Sequence, residues 1–90
     1  MEYTVLVVHN VEDYRKWRPV FDRHEEARLR AGVSEPHVYR NVDKPNELIG
    51  EFSAGNVRLA RDFFASEGLR RTMAEAGVIS APVIYFLEAV

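Results

Sequence analysis

The chain has no cysteine, which excludes disulfides, thiolate metal sites and cysteine nucleophiles together and suits oxidising and reducing surroundings equally. Its glycines fall singly, at Gly32, Gly50, Gly55, Gly68 and Gly77, so no glycine-rich loop is available to cradle a phosphate, and no nucleotide cofactor is expected. No apolar run approaches the roughly 18–20 residues that span a bilayer, and the amino terminus enters a strand without a basic leader. The expectation is therefore a cytoplasmic protein without a membrane segment. Positive charge is not in excess: 12 Lys plus Arg stand against 14 Asp plus Glu, which argues against nucleic acid and against an anionic membrane surface. Three scattered histidines without a local cluster argue against a metal site.

What is present is apolar strand sequence. Ninety residues make one domain, 1–90, and a chain of this size buries only roughly 60–65% of its unfolded surface, so a partner subunit would add useful core. The first apolar run, Tyr3 to Val8, and the last, Val83 to Leu87, lack the alternation of a half-solvated strand. Both faces of such strands need covering.

Between them lie two helical segments. Asn10 is placed to cap the first, and Tyr14, Trp17, Phe21 and His24 recur at spacings of three and four, one face of a helix. Pro19 falls inside this pattern and predicts a kink or a break into a short first turn and a longer segment ending near Gly32. Glu35 to Val42 reads as a strand, Asp43 to Asn46 as a turn and Glu47 to Ser53 as the returning strand. Asn56 or Ser53 can open a second helix with Leu59, Ala60, Phe63 and Phe64 as its buried stripe. Ser66 caps a continuation through Leu69 and Met73 that ends at Gly77, and the last strand starts after Pro82.

The order is βαββαβ, an α+β arrangement in which each helix joins two parallel strands with an antiparallel strand between them, giving an antiparallel sheet. Right-handed crossovers put both helices on one face. The other face is left apolar, and pairing two such sheets as a homodimer removes it from water.

The stretch from His9 to His24, with its Tyr14, Trp17, Pro19 and Phe21, resembles small bacterial proteins of the dimeric α/β-barrel superfamily, of the antibiotic-biosynthesis-monooxygenase-like kind. The similarity extends over most of the chain, including Ser66 to Gly77 and the closing Ala81 to Phe86. The resemblance implies a ferredoxin-like protomer paired through its sheets into a dimeric barrel, with a pocket between each sheet and its own helices. It also implies a range of chemistries, among them cofactor-free quinone-forming oxygenation, polyketide cyclisation, lactone isomerisation and haem degradation, as well as members of no known activity.

His24 and His9 are the candidate catalytic residues, because imidazole exchanges protons near neutral pH. His9 ends the first strand, whereas His24 lies about twelve residues down a helix running back from it, roughly 18 Å along the axis. Two separate single-histidine sites are therefore expected, with His24 near His37 or Phe52. A core histidine donating to a carbonyl, or one ordering the strand-to-helix turn, is the structural alternative for either. His37, beside Pro36, is expected to be exposed. Tyr14, Trp17, Phe21 and Phe64, with Phe63, are candidates to stack on a planar ligand, although helical spacing alone produces such a stripe as ordinary core. Tyr39 and Tyr85 could supply phenolic hydrogen bonds inside a barrel, and strand propensity or a dimer interface explains them equally well. The charged segment Arg23 to Arg30 reads as a solvated helix face with i,i+4 pairs. Two functions follow: a small cofactor-independent oxygenase, cyclase or isomerase acting on an aromatic or polyketide-like molecule, or a non-catalytic dimeric protein that binds small molecules or is associated with stress.

Overall fold

The first strand outruns the cap expected for it. In the computed structural model, which describes residues 2–90, β1 spans Tyr3–Asn10. Asn10 is held as strand by its N–H donating to Ser80 Oγ at 2.9 Å and its carbonyl accepting from Ile79 N, so it does not cap the helix. Asp13 does so instead, its Oδ1 accepting from Arg15 N at 2.8 Å, and α1 follows over Tyr14–Arg23.

Pro19 neither breaks nor shortens α1. It sits on the exposed side of the helix, where the unpaired Arg15 carbonyl can turn to water. The break comes five residues later, at His24. There the Phe21 carbonyl takes a tightened bond from His24 N at 3.2 Å and a second from Arg28 Nη1 at 2.8 Å. A short α2, Glu25–Arg30, then runs to Gly32, which ends it at φ +73° as expected.

β2 covers Val33–Arg40 rather than Glu35–Val42. Val33 is buried opposite Ala54, which pulls the strand start forward, and Pro36 has no N–H for the ladder. The pairing therefore slips between Ser34 and His37, with Glu35 at φ 51°, a bulge that the strand pattern alone does not show. At its other end Asn41 leaves the strand, Nδ2 donating to Glu47 Oε1 and Oδ1 accepting from Asp43 N. β3 spans Glu47–Ala54. Asn56, not Ser53, caps α3 (Val57–Phe64), and Ser66 caps α4 (Glu67–Glu75); each side chain accepts a backbone N–H three residues on. Leu59 is exposed, so the buried stripe of α3 narrows to Ala60, Phe63 and Phe64. β4 is Val83–Leu87.

The strands form one sheet in the order β2-β3-β1-β4, antiparallel throughout. This is the ferredoxin-like α+β fold. Alternation along β1 and β3 turns Val5, Val7, His9, Leu48, Gly50 and Phe52 toward the helices, where they pack with Trp17, Phe21, Ala60 and Phe64. The other face carries Leu6 opposite Tyr85, and Val8 opposite Ile49 and Val83. No helix covers it, and Tyr85 and Val83 are each half exposed. No helix among the described residues is long and apolar enough to cross a membrane.

Candidate functional site

A cavity of about 60 Å³ lies between the inner face of the sheet and the helices. The sheet contributes Val7, His9, Gly50 and Phe52. Trp17, Val20, Phe21, His24 and Arg28 come from the first helical pair, and Phe63, Phe64, Leu69, Thr72, Met73 and Ala76 from the second. Gly50 leaves the room: a Cβ there would come within 3.0 Å of the Phe52 ring.

The aromatic stripe of α1 forms one wall. Trp17 and Phe21 stack with centroids 4.7 Å apart, and the rings of His9 and Trp17 meet edge to face at 5.9 Å. At the other end His24 stacks on Phe63 at 6.1 Å. The two histidines therefore border one cavity, with Trp17 and Phe21 between them, rather than two sites. His9 comes from the sheet and His24 from the helical layer, and both are on the wall of this one cavity. His37 is exposed, as expected, and takes no part.

His9 is 5% exposed and its Nδ1 is buried with no hydrogen-bond partner among the described residues. Burial lowers its pKa below the ordinary 6.5, because desolvation disfavours the imidazolium and outweighs a smaller opposing contribution from the backbone of His9 itself. The pKa of His24 is lowered too, first by burial and then by the positive charges of Arg28 and Arg30. Both rings are thus neutral at neutral pH.

Of the other candidate residues, Trp17, Phe21 and Phe64 line the cavity. Tyr14, Tyr39 and Tyr85 do not. Tyr14 stands outside it under the Arg40 guanidinium, 4.8 Å from ring centre to Cζ, and borders a separate shallow groove with Val38 and Leu48. Tyr39 and Tyr85 are on the uncovered sheet face, where the Tyr39 hydroxyl reaches Glu51 Oε1 at 3.5 Å.

Arg28 is the residue that sequence reasoning missed. The solvated face expected for Arg23 to Arg30 breaks here: Arg28 is 5% exposed, its guanidinium 3.8 Å from the Phe21 ring centre. The expected i,i+4 pairs do not form in this segment; the ion pairs among the described residues are Arg15 with Asp13, Lys16 with Glu12 and Arg18 with Asp22. A signal was available, since Arg28 continues the spacing of Tyr14, Trp17, Phe21 and His24 by four.

No protein-family model matches the chain, and no curated protein does. Solved structures do match. An antibiotic biosynthesis monooxygenase candidate from Bordetella bronchiseptica superposes with a TM-score of 0.80 at 14% identity, covering 99% of this chain and 97% of that one. The fold is that of the antibiotic-biosynthesis-monooxygenase-like proteins. A second candidate of that kind, from Caulobacter crescentus, gives 0.73 at 17% identity over 99% and 90% of the two chains. SnoaB, a cofactor-independent oxygenase from Streptomyces nogalater, gives 0.71 at 18% identity over 99% and 95%.

Proposed function

We propose that the protein is a small cofactor-independent enzyme, an oxygenase, cyclase or isomerase, that takes a hydrophobic or aromatic small molecule into the pocket between its sheet and helices. The observation that carries this reading is the buried, unpartnered Nδ1 of His9, on a side chain bordering an otherwise largely apolar cavity. Buried polar atoms in finished cores are almost always paired, and an unpaired one at a cavity wall is a group held in reserve. Because His9 and His24 are neutral at neutral pH, either can take a proton from an activated carbon on a bound molecule. The aromatic walls keep water from the resulting enolate and strengthen any donor facing it. Likeness of fold to SnoaB supports the cofactor-free form of this reading.

The protein works as a homodimer in this reading, the second copy covering the sheet face that carries Leu6, Val8, Val83 and Tyr85. A second reading, a non-catalytic dimeric protein that binds small molecules or is associated with stress, draws support from the cavity volume. About 60 Å³ is well below the roughly 300 Å³ of a typical ligand pocket, so Phe63, Phe64 or Met73 must swing aside to admit a ring. Turnover and binding of planar phenols and quinols by His24→Ala distinguish the two. A catalytic His24 gives a variant whose melting temperature stays within a few degrees of the parent while turnover is lost. A large loss of stability with unchanged ligand affinity removes His24 from the chemistry.

A further inference from the structure

Arg28 is 5% exposed, and among the described residues no carboxylate forms an ion pair with it. Its guanidinium stacks on Phe21, and its one hydrogen bond among the described residues goes from Nη1 to the Phe21 carbonyl. A planar guanidinium has five N–H donors in a fixed fork, so most of its donor edge is unused. Asp22 and Glu25 are near enough to act on its charge, but neither carboxylate comes within 4.0 Å, and Arg18 opposes them. Among the described residues His9 Nδ1 is the one fully buried side-chain polar atom without a partner, so the free donors of Arg28 are not sealed off and remain open to water or a ligand.

The remaining surroundings of Arg28 say which ligand suits them. Arg28 borders the same cavity as His9 and His24. Among the described residues the other polar groups on the wall are the Trp17 indole N–H and Thr72, whose hydroxyl is engaged with the Gly68 carbonyl at 3.0 Å. The wall therefore offers one fixed positive charge, two imidazoles and no carboxylate. That balance repels cations and leaves a negative charge as the missing element.

We infer that Arg28 is the anion-binding group of the cavity and that the ligand is a small planar organic anion, a carboxylate, phenolate or enolate, whose ring extends among Trp17, Phe21, Phe63 and Phe64. This rests on the pocket reading above and narrows it. Arg28 fixes the charged oxygen, and the aromatic rings fix the plane of the ligand. Stacking on Phe21 holds the guanidinium in place before the ligand arrives.

The probes are benzoate and its neutral isostere benzamide, titrated calorimetrically at neutral pH into the parent, Arg28→Gln and Arg28→Lys. The parent should favour benzoate by at least about tenfold, the worth of a charge-assisted hydrogen bond. Arg28→Lys should keep most of that preference and Arg28→Gln should lose it, with benzamide affinity falling far less than benzoate affinity. Because Arg28 also supports the Phe21 carbonyl, Arg28→Gln is compared only if its circular dichroism matches the parent. If it does not, the shift of the Arg28 Nε–H resonance on adding benzoate to the parent decides the matter. Equal affinity for the two probes, or a preference for benzoate that survives in folded Arg28→Gln, overturns the anion site and leaves the pocket standing. If neither probe binds, the pocket reading fails and this inference fails with it.

Discussion

At the scale of single residues, the site depends on what burial does to two imidazoles. An unfolded histidine takes up a proton near pH 6.5, whereas in the folded chain burial disfavours charging of His9 and His24. The unfolded state then binds more protons than the folded state as pH falls below that value, so protonation pulls toward unfolding. Stability should be fully present above about pH 6.5, decline through the interval below it and level off once pH is under the folded-state values. Chemical denaturation at a series of pH values checks this, and a midpoint that rises on acidification through that interval contradicts it. His9 also tests whether the group is kept for chemistry. An unpaired buried nitrogen costs roughly 1–3 kcal/mol, so His9→Leu should melt at or above the parent temperature while losing any turnover. A drop of several degrees would show that His9 supports the fold through a contact other than its Nδ1.

Among the elements, helix continuity was decided by hydrogen-bond accounting rather than by proline. Pro19 is on the water side, where a lost bond is cheaply replaced, so α1 continues through it. The Phe21 carbonyl, bonded by His24 N and Arg28 Nη1, is where the helix divides, and the division places His24 at the cavity wall. In β3 the corresponding device is Gly50. An added Cβ would meet Phe52 Cε2 at 3.0 Å and Cζ at 3.2 Å, so the ring, itself part of the cavity wall, would have to shift. Gly50→Ala should therefore cost about 1–3 kcal/mol by overpacking and weaken ligand binding at the same time. Thermal melts together with the phenol titration check it; a variant as stable as the parent that still binds would show that Phe52 has room to turn.

For the molecule as a whole, the uncovered sheet face is the largest unresolved demand. The helices cover one side, and Val83, Tyr85 and Leu87 of the edge strand stand on the other with Tyr39. If a second copy covers them, the interface should exceed roughly 1,000 Å² in total, and the parent should sediment as a dimer at low micromolar concentration. Tyr85→Asp would place a charge in that interface and should yield monomer with a lowered melting temperature, because assembly and stability are linked. A parent that sediments as a folded monomer, or a Tyr85→Asp protein that remains an intact dimer, rules this face out.

The order of elements, the caps at Asn56 and Ser66, the ends at Gly32 and Gly77 and the α1 stripe were legible in the sequence because each follows from local rules: spacing, a capping side chain or a residue that tolerates positive φ. Trp17, Phe21, His24 and Phe64 reach the cavity by that same periodicity. Tertiary structure decided the rest. The bulge at Glu35 and Pro36 depends on the register against β3, and the joining of His9 to His24 depends on the sheet and the first helical pair enclosing one cavity. The exclusion of Tyr39 and Tyr85 from that cavity depends on which way each strand turns its alternate residues. The burial of Arg28 depends on a helix break that exposes the Phe21 carbonyl to it. Each of these is set by contacts between segments distant in sequence or by unpaired backbone groups, and neither composition nor periodicity encodes those directly.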